Sequence, residues 1–342
     1  MKKGSFISKQ EAIMIQAIAA LLMVFHHLFG FPERINVPYT MLFDFGAIHI
    51  ETILSYFGRI CISIFAFTSG YGFYKLGADA SIGRGYGIAW KQLKKFYTRF
   101  WVVCVIFIPL GYLLRVHTFD GIVLIKSILG LSTAFNGEWW YISTYLGLLL
   151  LFPVLCWGLR NLCEKTSRYS GIIAIVAFVL ISILYTLLPG KSFMGWLLCF
   201  VMGMAMVQYR VFEMLYELLL KTERVRYVLA VLLLVGVVGV RIITNANCDY
   251  DYIFTPIFIF AILVLLKSRI CEKSVNKVLQ FIGKYSTYIW LTHTFFAYYY
   301  FQTFIYSVKY SALIFVLCTA CSVVTGIVIE YIIQKVSQLL VR

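Results

Sequence analysis

Ten apolar runs divide the chain, each close to the length a bilayer demands. A helix needs about 20 consecutive apolar residues to cross the hydrocarbon core. Runs near that length cover residues 12–31, 55–76, 96–116, 138–158, 170–189, 192–208, 227–245, 252–267, 284–306 and 311–334. They are apolar all round rather than along one stripe, as helices surrounded by lipid or by other apolar helices are. Hydrophobic residues make up 61% of the chain and charged residues 13%, with a mean hydropathy of +0.87. A soluble domain does not carry so much apolar surface. The expected fold class is all-α, a polytopic membrane protein with about ten transmembrane helices.

A net charge of +15 would suit nucleic acid if the basic residues formed a patch. They fall instead in the connections between runs, so no nucleic-acid partner is expected and membrane lipid is. An even number of runs puts both termini on one side. With that side taken as cytoplasmic, 23 of the 30 Lys and Arg lie on inner segments and 6 on outer ones, with Arg59 inside the second run. Such a bias is what the positive-inside rule requires. The first run follows Lys2, Lys3 and Lys9, but it is too long for a signal segment and lacks a small-residue cleavage site, so it reads as a retained span. One integral membrane domain is expected over 1–342. Residues 121–135 are apolar but short and read as a re-entrant or interfacial helix; 209–226 contains an amphipathic stretch suited to a membrane surface. The nine cysteines lie mostly in the runs or on inner segments, with Cys248 in an outer loop, so no disulfide framework is expected. Cys318 and Cys321 read as small packing residues, and no metal is expected.

Ionisable groups inside hydrocarbon are costly and usually face a polar cavity. His26 and His27 stand in the outer half of the first run, about 100° apart on a helix, so one of them is expected to face any given cavity. His293 lies near the middle of the ninth run, where a role in helix packing is an equal alternative. Arg59 lies near the outer end of the second run and Arg241 near the outer end of the seventh; both have stems long enough to snorkel, Arg59 being the deeper. Glu138 opens the fourth run beside Trp139 and Trp140, where an acid also suits a helix start and the tryptophans an interfacial belt. Asp249 and Asp251 follow in the next outer loop. Lys91, Lys94, Lys95 and Arg99 lead into the third run, where they serve as topology determinants or as partners for a phosphate-rich ligand.

Five stretches stand out along the chain: IQAIAALLMVFHHLF, GRICISIFAFTSGY, KQLKKFYTRFW, WWYISTYLGLLLLFP and GKYSTYIWLTH. Taken in order, they resemble the motifs of acyltransferase family 3, the multi-pass membrane O-acyltransferases of surface glycans. IQAIAALLMVFHHLF is similar to the family's first span, where a basic residue precedes a His by ten intervening residues. Counting back from His27 reaches Gln16, so the His is matched and the basic residue is not. GRICISIFAFTSGY supplies a basic residue followed by Ser-Gly-Tyr, which places Arg59, Ser69, Gly70 and Tyr71. KQLKKFYTRFW, WWYISTYLGLLLLFP and GKYSTYIWLTH resemble the lead into the third span, the Trp-Tyr to Pro span, and the late span whose Tyr-Ser-x-Tyr-x-x-x-x-His pattern places His293.

The resemblance implies transfer of an acyl group, usually acetyl, from cytoplasmic acyl-CoA to a hydroxyl of an extracytoplasmic carbohydrate, in a bacterial cytoplasmic membrane. Acyl-CoA, acetyl-CoA in the first instance, is then the donor and a capsular, exopolysaccharide or cell-wall glycan the acceptor. In that frame His27 acts as general base or acyl carrier, with His26, His293 and Glu138 as further candidates and Arg59 at the oxyanion. Gln16, Lys91, Lys94, Lys95 and Arg99 face the donor, and Ser69, Tyr71, Trp139, Trp140, Arg241 and Asp249 the acceptor. A transporter or flippase for a polar or lipid-linked solute is the competing class, and Gln16 also admits a catalytically degenerate family member. A homo-oligomer stays open.

Overall fold

The apolar runs fold as helices because backbone polar groups in hydrocarbon must bond within their own segment. A computed structural model of the chain describes residues 6–45, 48–164, 192–219, 222–244, 250–268 and 273–340. In chain order the helices are α1 (Lys9–Phe29), α2 (Ile50–Phe57), α3 (Ile60–Gly77), α4 (Ile82–Leu113), α5 (Gly121–Ile128), α6 (Trp140–Glu164), α7 (Ser192–Gln208), α8 (Val211–Leu219), α9 (Glu223–Ile243), α10 (Asp251–Lys267), α11 (Lys273–Lys284), α12 (Ser286–Thr294), α13 (Gln302–Tyr306) and α14 (Ser311–Leu340). Short 3-10 turns at Pro32–Arg34 and Gly137–Trp139, a π turn at Phe295–Tyr299, and a ladder pairing Asp44–Phe45 with Ile48–His49 complete the described regular structure.

Among the described residues, six helical stretches are long and apolar enough to cross a membrane: Lys9–Phe29, Ile50–Gly77, Ile82–Leu113, Gly137–Asn161, Glu223–Ile243 and Ser311–Leu339. Phe193–Gln208 and Val211–Leu218, bent by 63°, make a seventh if they count as one span. The protein is thus an integral membrane protein built of helices. The expected run 170–189 lies outside the described residues. α10, which carries the expected eighth run, has 17 residues. Residues 121–135 hold only the short α5, begun by Asp120, whose side chain accepts from the N–H groups of Ile122 and Val123.

The run 284–306 reads as one span in the sequence but is broken in the structure. α11 ends at Lys284, α12 restarts at Ser286, and the π turn then leads to α13. Side-chain donors compete for the main-chain carbonyls here: Thr292 Oγ1 bonds Tyr288 O at 2.7 Å and His293 Nδ1 bonds Ile289 O at 2.8 Å. These back-bonds lie within α12 itself, and the π turn that follows is where the regular ladder is interrupted.

The chain packs as two units. The first comprises Met1–Ala19, Arg59–Trp90 and Gly147–Gln280. In it α3 and α7 meet backbone to backbone, since a Cβ on Gly70 would strike the main chain of Phe200 and one on Gly203 the carbonyl of Phe67. Small residues at such crossings are what allow membrane helices to approach closely. The second unit comprises Ala20–Gly58, Lys91–Leu146 and Phe281–Arg342. There α12 lies along α14, with Gly326 leaving room for the Tyr288 side chain, and Phe107 of α4 stacks on Phe295 at 4.4 Å. The connection from α1 to α2 is pinned in this unit. Thr40 exchanges main-chain hydrogen bonds with Lys309 and Ser311 (2.7 and 3.0 Å), and Glu51 Oε1 accepts from the N–H groups of Leu42 and Phe43 and from Ser311 Oγ.

Candidate active site

The second unit gathers three ionisable side chains that are far apart in sequence. His27 comes from the last turn of α1, Glu138 from the 3-10 turn before α6, and His293 from the end of α12. His27 Nδ1 lies 2.9 Å from His293 Nε2, and His27 Nε2 lies 3.2 Å from Glu138 Oε2. The other carboxylate oxygen, Oε1, faces Arg34 NH1 at 3.5 Å.

The proton positions follow from the partners. His293 Nδ1 faces two main-chain carbonyls, Ile289 O at 2.8 Å and Trp290 O at 3.0 Å. A carbonyl only accepts, so Nδ1 carries the hydrogen and, with the ring neutral, Nε2 offers a lone pair. His27 therefore donates through Nδ1–H, and its Nε2 is turned to the carboxylate. A proton held at Nε2 would be bonded to Glu138 Oε2. This is the arrangement in which an imidazole that gains a proton is stabilised as imidazolium, with its tautomer set from the far side.

Uncharged neighbours hold these groups in place. Tyr298 donates its hydroxyl hydrogen to the main-chain carbonyl of His27. Asn136, fully buried, accepts from Glu138 N–H at 2.9 Å and from Thr294 Oγ1 at 3.0 Å, both through Oδ1. Trp290 Nε1 bonds the Glu138 carbonyl at 3.3 Å. Trp139, buried against Phe100 and Phe295, donates Nε1–H to Leu291 O at 3.1 Å. The Phe31 ring lies parallel to the His27 ring, centroids 6.0 Å apart.

His26 points elsewhere, as the 100° step requires. Its Nδ1 is 2.8 Å from Ser55 O, and Gly30 and Gly58 leave room around it, since a Cβ on either would press on His26. It ties α1 to α2, whereas His27 joins the ionisable cluster. Arg99 pairs with Glu330 at 2.6 Å and lies over the Tyr288 ring. Lys91, Lys94 and Lys95 are exposed along α4, and Trp140 is half-buried at the start of α6.

The remaining sequence candidates belong to the first unit. Gln16 and Ser69 are half-buried on α1 and α3, and Arg59 is half-buried where α3 begins. Tyr71 is buried, and its hydroxyl accepts from the Ile7 N–H at 3.1 Å. Arg241 forms a bidentate pair with Asp251, Nε to Oδ1 at 2.8 Å and NH2 to Oδ2 at 3.0 Å, and Ser63 Oγ donates to Oδ2 at 2.6 Å. Asp249 lies outside the described residues. Among the described residues no group of three or more His, Cys, Asp or Glu is arranged to hold a metal ion.

Sequence reasoning missed Arg34, Asn136 and Tyr298. Arg34 read as one more loop charge, and uncharged Asn136 and Tyr298 stand out in no pattern. The nearest signal was proximity, since Asn136 is two residues before Glu138 and Tyr298 five after His293.

A family model described as an acyltransferase domain matches residues 12–331, a stretch that contains every member of this cluster. No curated protein and no solved structure gives a significant match.

Proposed function

Because the chain belongs to acyltransferase family 3, we propose that it moves an acyl group, acetyl in the first instance, from acyl-CoA to a hydroxyl of a carbohydrate on the far side of the membrane, with His27 as the base. The observation that carries this reading is the His293–His27–Glu138 chain of contacts. The acceptor hydroxyl gives its proton to His27 Nε2 as its oxygen attacks the thioester carbonyl. Glu138 Oε2 then holds the new N–H, and His293 keeps Nδ1 as donor. When the tetrahedral intermediate collapses, the carbon–sulfur bond breaks and His27 returns the proton to the leaving thiolate. Ester and free thiol are the products.

His27 must be neutral to begin. Lys91, Lys94 and Lys95, exposed along α4, are the cations proposed for the donor phosphates. The charge bias of the loops supports the cytoplasmic placement of that end. One membrane domain carries both functions.

The test is ester formation by the purified protein in liposomes, with acetyl-CoA and a hydroxyl-rich glycan. Alkali-labile acyl ester is expected from wild type, not from His27→Ala, and in reduced amount from His26→Ala. Equal ester from wild type and a folded His27→Ala protein would overturn the assignment of the base.

A further inference from the structure

Arg34 is placed at the mouth of the His27 cluster with most of its hydrogen-bonding capacity unspent. A guanidinium presents five N–H donors in a fork suited to carboxylate and phosphate. Among the described residues, Glu138 is the one carboxylate in ion-pairing range, at 3.5 Å from a single nitrogen, long for a charge-assisted hydrogen bond. The side chain is 43% exposed, against 16% for Glu138.

The arginine is nonetheless held in place. Its guanidinium carbon lies 4.2 Å over the Phe31 ring and 5.5 Å from the centre of the Tyr298 ring. The backbone around it is clamped by Gln302, whose Oε1 accepts from Asn36 N–H at 3.0 Å and whose Nε2 donates to Arg34 O at 2.8 Å. A surface arginine kept only for charge needs neither the aromatic shelf nor the clamp. A pre-organised fork of donors with capacity to spare is what a binding site supplies.

Position decides between roles. Arg34 faces the far oxygen of the Glu138 carboxylate, Oε1 at 3.5 Å, while the near oxygen, Oε2, is the one 3.2 Å from His27 Nε2, so its contact is with Glu138 and not with the ring nitrogen. It is within reach of another substituent on a sugar whose hydroxyl lies at His27 Nε2. Once His27 holds the transferred proton, one carboxylate stands between two cationic groups, and an anion on the acceptor offsets the excess charge.

We propose that Arg34 recognises the acceptor, and that the acceptor carries an anionic group, carboxylate or phosphate, near the hydroxyl that is acylated. This rests on the acyl-transfer reading above and narrows its acceptor to acidic glycans.

The experiment uses the full chain in liposomes with three acceptors: a uronic-acid oligosaccharide, the same oligosaccharide as its methyl ester, and a sugar oligomer linked by phosphodiesters. Wild type is expected to favour a charged acceptor over the uncharged ester by about ten- to hundredfold in kcat/KM, chiefly through KM, the range for charge-assisted hydrogen bonds. Arg34→Gln should bring that ratio close to one, and Arg34→Lys should restore part of it. Preference for the uronate names carboxylate, and preference for the phosphodiester oligomer names phosphate; either supports the proposal. No preference in wild type overturns it, as does an Arg34→Gln loss equal on charged and uncharged acceptors, which would make Arg34 a positioning residue for Glu138. Binding of the same oligosaccharides without acyl donor is measured in parallel. Arg34-dependent binding with no ester from any acceptor would sink the transferase reading and leave the anion site standing; no Arg34-dependent binding would sink the site.

Discussion

His293 gives the sharpest test of how the site works, because its proposed role is to orient another residue. His293→Ala removes the acceptor of the His27 Nδ1–H bond, 2.9 Å long and fully buried at His293. A buried donor left unpaired costs about 1–3 kcal/mol. If that cost falls on the transition state, kcat drops roughly five- to 150-fold at about 1.36 kcal/mol per decade. The freed imidazole can also carry its hydrogen on the wrong nitrogen, which adds to the loss. His293→Gln is the control, since its side-chain oxygen can accept from Nδ1–H and should recover most of the rate. The assay is initial ester formation with acyl-CoA varied. KM for acyl-CoA should hold steady while kcat falls, and thermal unfolding in detergent reports that the variants are folded. Wild-type kcat in His293→Ala would refute the reasoning. So would a Gln variant as slow as the Ala variant with both proteins folded, because acceptance of the hydrogen bond would then be irrelevant.

Three further outcomes follow from particular contacts. Glu138→Gln removes the charge that holds the His27 proton and offers an amide N–H to the same nitrogen; kcat should fall roughly 10²- to 10⁴-fold, with Glu138→Asp less affected, as read by ester formation at saturating donor. Arg241→Ala strands Asp251 in a pair whose side chains are 1% and 0% exposed. Breaking such a buried pair costs about 3–5 kcal/mol, so a lower unfolding temperature is expected, and replacing both partners by apolar residues should recover much of it. Gln16→Arg restores the cation of the family pattern and should lower KM for acyl-CoA by about tenfold, the scale of one charge-assisted hydrogen bond; an unchanged KM and rate would favour the transporter or degenerate alternatives.

The helices were legible because each apolar run is a local property, read without knowing its neighbours. The cluster was legible in part for a related reason. His27, Glu138 and His293 are ionisable residues where ionisable residues are costly, so each drew attention alone, while nothing local said that they touch. Which of two adjacent histidines joins the cluster depends on the rotation of α1, which packing sets. The pairing of Arg241 with Asp251 was hidden in the same way: Arg241 ends one helix, Asp251 begins another, and only the packing of α9 beside α10 turns two loop-edge charges into one buried pair. The break in the run 284–306 escaped because hydropathy alone carries no trace of the junction at Tyr285 or of the π turn at Phe295–Tyr299. Arg34 escaped because a loop arginine is common, and the Tyr298 ring and Gln302 clamp that help set it apart come from residues more than 260 positions away.

The most direct single measurement is label transfer in sealed inverted membrane vesicles that hold the host glycan inside and receive radiolabelled acetyl-CoA outside. Wild-type protein should place alkali-labile label on the enclosed glycan, and His27→Ala at equal expression should place none. Label that is independent of His27, or absent from wild type with both substrates shown to be present, would contradict acetyl transfer across the membrane by this site.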